Sequence, residues 1–117
     1  QNPLVELQRA RQLIGADGVL LVGVPNISGL SVQLKTWQSR LRLKAKPWKH
    51  YGALHHLWFF TPRTLAKIVT AAGFEVIHCE TPVFERAERP SWITSMIRAP
   101  LELLKVGGVV DLYARAR

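Results

Sequence analysis

A chain of 117 residues is room for one domain of ordinary size and not for two. With 48% hydrophobic and 21% charged residues the composition is that of a folded, water-soluble chain, which excludes disorder, and no apolar run reaches the ~18 residues a membrane-spanning helix needs. The formal net charge is +8, and all of the excess sits in one block: between Gly18 and Phe74 there are eight lysines and arginines and no Asp or Glu. Such a block points either to an anionic partner (phosphate-bearing substrate, membrane surface or nucleic acid) or to a solvated basic face.

In chain order, residues 3–14 read as a short helix, with Leu4, Leu7, Arg11 and Ile14 on one side and Val5 and Leu13 widening the stripe. Gly15-Ala16-Asp17-Gly18 is turn chemistry. Val19 to Val24 is a continuous apolar run of strand length, the pattern of a strand buried on both faces, and Pro25-Asn26 stops it. A second helix fits 30–43: Leu30, Leu34, Trp37 and Leu41 form an apolar stripe, and Lys35, Gln38, Ser39 and Arg42 face away. The stripe predicts that Trp37 is packed. Residues 44–60 have no period and crowd aromatics, histidines and lysines together, the composition of a loop that touches something.

A third helix starts at Thr61, an N-cap followed by Pro62 at N1. Leu65, Ile68, Val69 and Ala72 make its stripe, and Gly73 ends it with Phe74 placed for the accompanying apolar contact. Residues 75–80 read as a strand, 83–90 as a charged loop, a segment from about 91 as a helix interrupted at Pro100, and 109–115 as a last strand. The order favours an α/β fold in a single domain spanning 1–117. Lone Cys79 excludes an internal disulfide framework, is expected to be inert core, and leans toward a reducing, cytoplasmic location. No secretory signal opens the chain, and its start at Gln-Asn-Pro is expected to reflect processing or a piece of something longer.

The order and residue types together resemble the C-terminal half of a class I S-adenosylmethionine-dependent methyltransferase, closest to the ubiquinone-biosynthesis and small-molecule type. The resemblance is carried by the turn and strand Leu13 to Asn26 with its terminal Pro-Asn, by Trp48, Gly52 and His56-Leu57-Trp58-Phe59-Phe60-Thr61, by Gly73-Phe74-Glu75-Val76, and by Gly108 to Arg115. It implies a partial Rossmann-like sheet of three strands, the last antiparallel, with flanking helices and a helical and aromatic insertion over 27–60 on the acceptor side, its helix a lid. The family holds its cofactor mainly through a glycine-rich loop and an acidic residue of the N-terminal half. This sequence has no Gly-x-Gly-x-Gly, and Asp17 lies in the turn before the strand, so no cofactor-binding residue is expected here.

Within that resemblance His56 is the candidate general base on an acceptor hydroxyl or amine, against the alternative that it only pins its loop. Asn26, Trp48, His55 and Phe59 are the candidate acceptor-binding residues, the aromatics because they can clamp a ring by stacking. His50, His55 and His56 lack a nearby carboxylate or thiolate in sequence, so no metal is expected. The full-length protein is then expected to methylate a small or lipid-linked acceptor with S-adenosylmethionine, and the isolated chain to be inactive. Strand 19–24 is expected to pair with 109–115 on one side and, in the isolated chain, with a second copy on the other, giving a homodimer. The basic helix 30–43 suits an anionic membrane surface as well as a lid. The reading from a different class is a free-standing basic module that binds nucleic acid or an anionic surface. Nucleic acid is disfavoured, because no nucleic-acid-binding motif is present.

Overall fold

The computed structural model describes residues 2–43, 45–46, 48–51, 58–82, 96, 100 and 102–117. Helix α1 (Pro3–Leu13) leads into strand β1 (Val19–Pro25), helix α2 (Leu30–Arg40), a single 3-10 turn at Lys49–Tyr51, helix α3 (Pro62–Ala71) and strands β2 (Phe74–Glu80) and β3 (Val109–Ala116). The sheet order is β1-β3-β2, and β3 is antiparallel to both neighbours. The pairing of 19–24 with the last strand is therefore as expected, running from Val19 opposite Arg115 to Pro25 opposite Val109.

One face of the sheet makes the core. Phe74, Val110, Leu112, Ala114 and Ala116 are buried there under Leu65, Val69 and Ala72 of the α3 region. Leu4, Leu7 and Ile14 of the α1 segment pack at its margin, half-buried. Each large side chain fully buried in this layer contributes about 1.5–3 kcal/mol relative to exposure. Leu13, placed on the α1 stripe by sequence, is exposed instead; it is the last residue of that helix, where the chain leaves for the turn. Arg11 ties α1 to the sheet by donating to the carbonyls of Gly73 and Arg117.

β2 carries a bulge. Val76 lies opposite Ala114 and His78 opposite Tyr113, so Ile77 is the extra residue. The bulge resets the alternation, so that Cys79 joins Leu112 on the core face while His78 and Glu80 lie opposite Tyr113 and Asp111.

The expectation that 19–24 is buried on both faces is not met. Leu20, Val22 and Val24 are half-buried against the core, but Val19 and Leu21 are exposed. β1 is an edge strand, and β3, with a buried alternate row, holds the centre. A run without polar positions is what a strand needs when something covers its second face and edge; nothing among the described residues does so here.

The ends of α3 follow their sequence signals. Thr61 and Thr64 form a reciprocal capping box, with Pro62 at N1, and Gly73 takes φ +93°, a left-handed conformation that suits glycine. The segment around 91–101 lies almost wholly outside the described residues.

Candidate functional site

Three segments meet at the carboxyl end of β1: the start of α2, the aromatic segment and the loop entering β3. Asn26 follows Pro25 there, fully buried. Its side-chain amide donates to the carbonyls of Lys105 at 3.1 Å and Gly107 at 2.8 Å. Its Oδ1 accepts from the backbone N–H of Ser28 at 3.0 Å and from the Ser28 hydroxyl at 2.6 Å. Both amide protons and both lone-pair directions are thus engaged. The backbone N–H of Asn26 donates to Gly108, and Leu30 N–H, at the start of α2, donates to Val106. Asn26 is a joint that locks the end of β1 to the loop entering β3. Gly29 lies so close to this joint that a Cβ there would sit 2.6 Å from the Gly107 carbonyl oxygen. That close approach explains why the α2 N-cap has no side chain to bond with.

The aromatic segment joins at the same point. Asn26 makes a parallel bridge with Phe60, and Ile27 N–H donates to the Phe60 carbonyl at 2.9 Å. Phe59 is half-buried and meets Tyr51 edge-on, with ring centroids 5.7 Å apart at 83°. Tyr51 in turn stacks near Trp48 at 6.4 Å and 23°. This row is pinned to the side of α2 that carries Thr36 and Ser39: the Tyr51 hydroxyl lies 2.8 Å from the Thr36 hydroxyl, and Trp48 N–H donates to Ser39 Oγ at 3.2 Å. Trp48 is exposed at φ +64°, a left-handed backbone that the Ser39 contact helps hold. Two of the candidate acceptor residues, Trp48 and Phe59, are therefore brought together through a third, Tyr51. Tyr51 was missed because nothing in sequence separates it from its aperiodic neighbours; the i, i+3 spacing of Trp48 and Tyr51 in a one-turn helix was the available signal.

His55 and His56 lie outside the described residues. Among the described residues no group of three or more His, Cys, Asp or Glu could hold a metal. Burial pushes the Cys79 thiol above its ordinary value, opposed in part by Lys105 and reinforced by Asp111 and Glu80, so the thiolate is disfavoured and the residue behaves as core.

Beside the open edge of β1 runs a groove of about 330 Å³ lined by Pro3, Leu7, Val22, Trp58, Phe60 and Ile68 among others. Its walls are apolar, and its one charged lining residue, Glu6, is exposed and paired with Arg9 at 3.1 Å. A nucleoside-bearing methyl donor needs partners for ribose hydroxyls, an adenine edge, an ammonium and a carboxylate. Neither this apolar groove nor the saturated Asn26 joint supplies them.

A family model described as a methyltransferase domain matches residues 1–79. The match covers everything from α1 through the aromatic row and α3 to Cys79 in β2, and stops before β3. No curated protein matches the chain.

Proposed function

The chain belongs to the methyltransferase-domain family, and we propose that it forms the acceptor side of a class I S-adenosylmethionine-dependent methyltransferase acting on a small or lipid-linked molecule, of the ubiquinone-biosynthesis type. The observation that carries the reading is the open edge of β1: it lies inside the matched region and is apolar in sequence, yet it pairs only with β3 among the described residues. On this reading a further strand belongs on that edge, and the polypeptide that supplies it also supplies the glycine-rich loop and the acidic residue that this sequence lacks.

Methyl transfer is an in-line displacement, so much of the work is to hold the acceptor atom in line and keep water out. Segment 27–60 does this here. Trp48, Tyr51 and Phe59 offer flat apolar faces, and Asn26 acts as a positioning residue that fixes where the aromatic segment leaves β1. His56 takes the proton of an acceptor hydroxyl or amine, and His55 contributes to the acceptor's polar contacts. Donor binding is left to the N-terminal half of the full-length methyltransferase domain.

Calorimetry tests the reading. The 117-residue chain alone is expected to show no saturable binding of S-adenosylmethionine or S-adenosylhomocysteine, and the same residues joined to a segment bearing the glycine-rich loop are expected to bind both. Micromolar binding by the 117 residues alone would overturn it. On its own the chain is expected to associate through β1, two copies pairing edge to edge across a two-fold axis. A strict monomer by light scattering at roughly 100 µM, a concentration that exposes weak association, would remove that expectation.

A further inference from the structure

Helix α2 is mounted the wrong way round for a helix of a closed domain. The residues it turns inward are Val32, Thr36 and Ser39; Ser39 is its one buried residue. Its large apolar residues point outward, where Leu30 is 56%, Leu34 53% and Trp37 60% exposed, and Leu41 continues the row. At 100° per residue these four fall within about 60° of one another, opposite Ser39. The inner side is held by hydroxyls, through the Thr36–Tyr51 and Ser39–Trp48 contacts, so the orientation is fixed by specific bonds. Along the outer face Leu30, Leu34 and Trp37 line a shallow groove with Arg40.

The charges around this row identify what covers it. Lys35 and Arg40 stand on either side of the apolar row, Arg42 follows in the turn, and no acidic residue occurs anywhere between Gly18 and Phe74. An apolar strip with Trp and Leu, flanked by Lys and Arg, is the arrangement of a helix that lies in a lipid interface. Long cationic side chains there can run their methylenes along the apolar surface and keep the charge among headgroups. Eleven residues span only about 16 Å at 1.5 Å per residue, so the helix can lie on a bilayer but not cross it. A second copy is a poor occupant. An isologous contact of this face would bring the Lys35, Arg40 and Arg42 side chains of two copies to one interface with no carboxylate on either helix to offset them.

We propose that the outer face of α2 docks on an anionic lipid surface, with Leu30, Leu34, Trp37 and Leu41 below the headgroups and Lys35, Arg40 and Arg42 among the lipid phosphates. This surface stands apart from the methyl-transfer reading and would place the aromatic row, on the opposite side of α2, just above the membrane plane.

The test is co-sedimentation of the 117-residue chain with vesicles of phosphatidylglycerol mixed into phosphatidylcholine, and with vesicles of phosphatidylcholine alone. Binding is expected to the first and not the second, and to weaken as salt rises. A Leu34→Ser/Trp37→Ser variant should lose binding at least tenfold, with its circular dichroism and thermal transition retained. A Lys35→Gln/Arg40→Gln variant should lose on the order of fivefold per charge at low salt. Brominated acyl chains should quench the tryptophan fluorescence of the chain, and a Trp37→Phe variant, which leaves the other three tryptophans in place, should lose most of that quenching. Should the double serine variant lose its thermal transition, Leu30→Ser and the Trp37 quenching carry the test. Equal binding to both vesicle types, or full binding by the serine variant, would overturn the proposal. So would a change from dimer to monomer in that variant with vesicle binding unchanged, which would assign the face to a second copy. No donor or acceptor is present in these measurements, so their failure leaves the methyl-transfer reading where it stands.

Discussion

Helices α2 and α3 are almost the same length, eleven and ten residues, and each carries a row of large apolar side chains at helical spacing. They use that row in opposite ways. α3 buries Leu65 and Val69 against Phe74 and the β3 row, and its start is secured by the Thr61–Thr64 box. α2 sends Leu30, Leu34 and Trp37 into solvent, and its contacts with the rest of the chain are polar: Thr36 and Ser39 to the aromatic row, Gln33 to the Ile27 carbonyl, and the Leu30 N–H to Val106. The comparison teaches that periodicity reports an amphipathic helix but not which side faces the core. α3 belongs to the core; the apolar face of α2 is left exposed among the described residues.

The largest effect expected from this contrast is between matched leucines. Leu65→Ala should destabilise the chain by about 2–5 kcal/mol, because it removes a fully buried side chain and leaves a cavity. Leu34→Ala, the same chemical change on α2, should stay within about 0.5 kcal/mol. Urea unfolding of the two variants checks both. A cost above ~1.5 kcal/mol for Leu34→Ala would mean that the α2 row is packed in solution, and the contrast would collapse.

Asn26 comes next. Asn26→Ala leaves the carbonyls of Lys105 and Gly107 without their side-chain donor in a fully buried place, at a cost of about 1–3 kcal/mol. Amide exchange at Leu30, whose N–H is bonded to Val106 across the same joint, should rise with it. If exchange rises at Leu30 but not in α3, the joint supports the interface helix and not the core. Uniform loosening would show that the two helices are not separable.

The parts of the molecule legible in sequence are those decided locally. Thr61-Pro62 and Gly73 marked α3 to within a residue, because capping needs only neighbours in the chain. The antiparallel partner of 19–24 was legible through the resemblance, and the pairing follows it. The exposure of Val19 and Leu21 was not legible, since an apolar run looks the same whether or not its cover is present. The packing expected of Trp37 failed for the reason α2 as a whole did: two hydroxyls, Thr36 and Ser39, outweigh the stripe in setting the helix's rotation. At the candidate site, the sequence singled out Trp48 and Phe59 but not Tyr51, which joins them. It also marked Asn26 as an acceptor contact, whereas its side chain is wholly engaged within the fold.

The two helix starts give a smaller and sharper test. Thr61→Ala should cost about 1 kcal/mol, the worth of a good N-cap. The N-cap of α2 is Gly29, and substituting serine, normally a better cap, should not recover a comparable gain. Its Cβ would meet the Gly107 carbonyl oxygen at 2.6 Å, so the loop has to shift before the new hydroxyl can bond. Thermal unfolding reads both variants, and a stabilised Gly29→Ser would show that the Asn26 joint is looser than its hydrogen bonds indicate.

The most local effect expected concerns the hydroxyl that turns α2. Ser39 Oγ donates to the Lys35 carbonyl at 2.8 Å and accepts from Trp48 N–H at 3.2 Å. The first bond only duplicates what the helix backbone already offers its carbonyl, so its loss should be nearly neutral. The second is the one that matters, because it crosses from helix to aromatic row. Ser39→Ala should therefore cost no more than roughly 0.5–1.5 kcal/mol, the net worth of one hydrogen bond. Its signature should be local: faster amide exchange at Trp48, with Leu65 and Val69 in α3 unchanged. Ser39→Thr keeps the hydroxyl and should restore slow exchange if the added methyl is accommodated. Unaltered exchange at Trp48 in Ser39→Ala would mean that the row is held without the Ser39 bond, by contacts that include the Tyr51–Thr36 pair and ring stacking. The rotation of α2, and with it the outward placing of Trp37, would then not depend on the Ser39 hydroxyl.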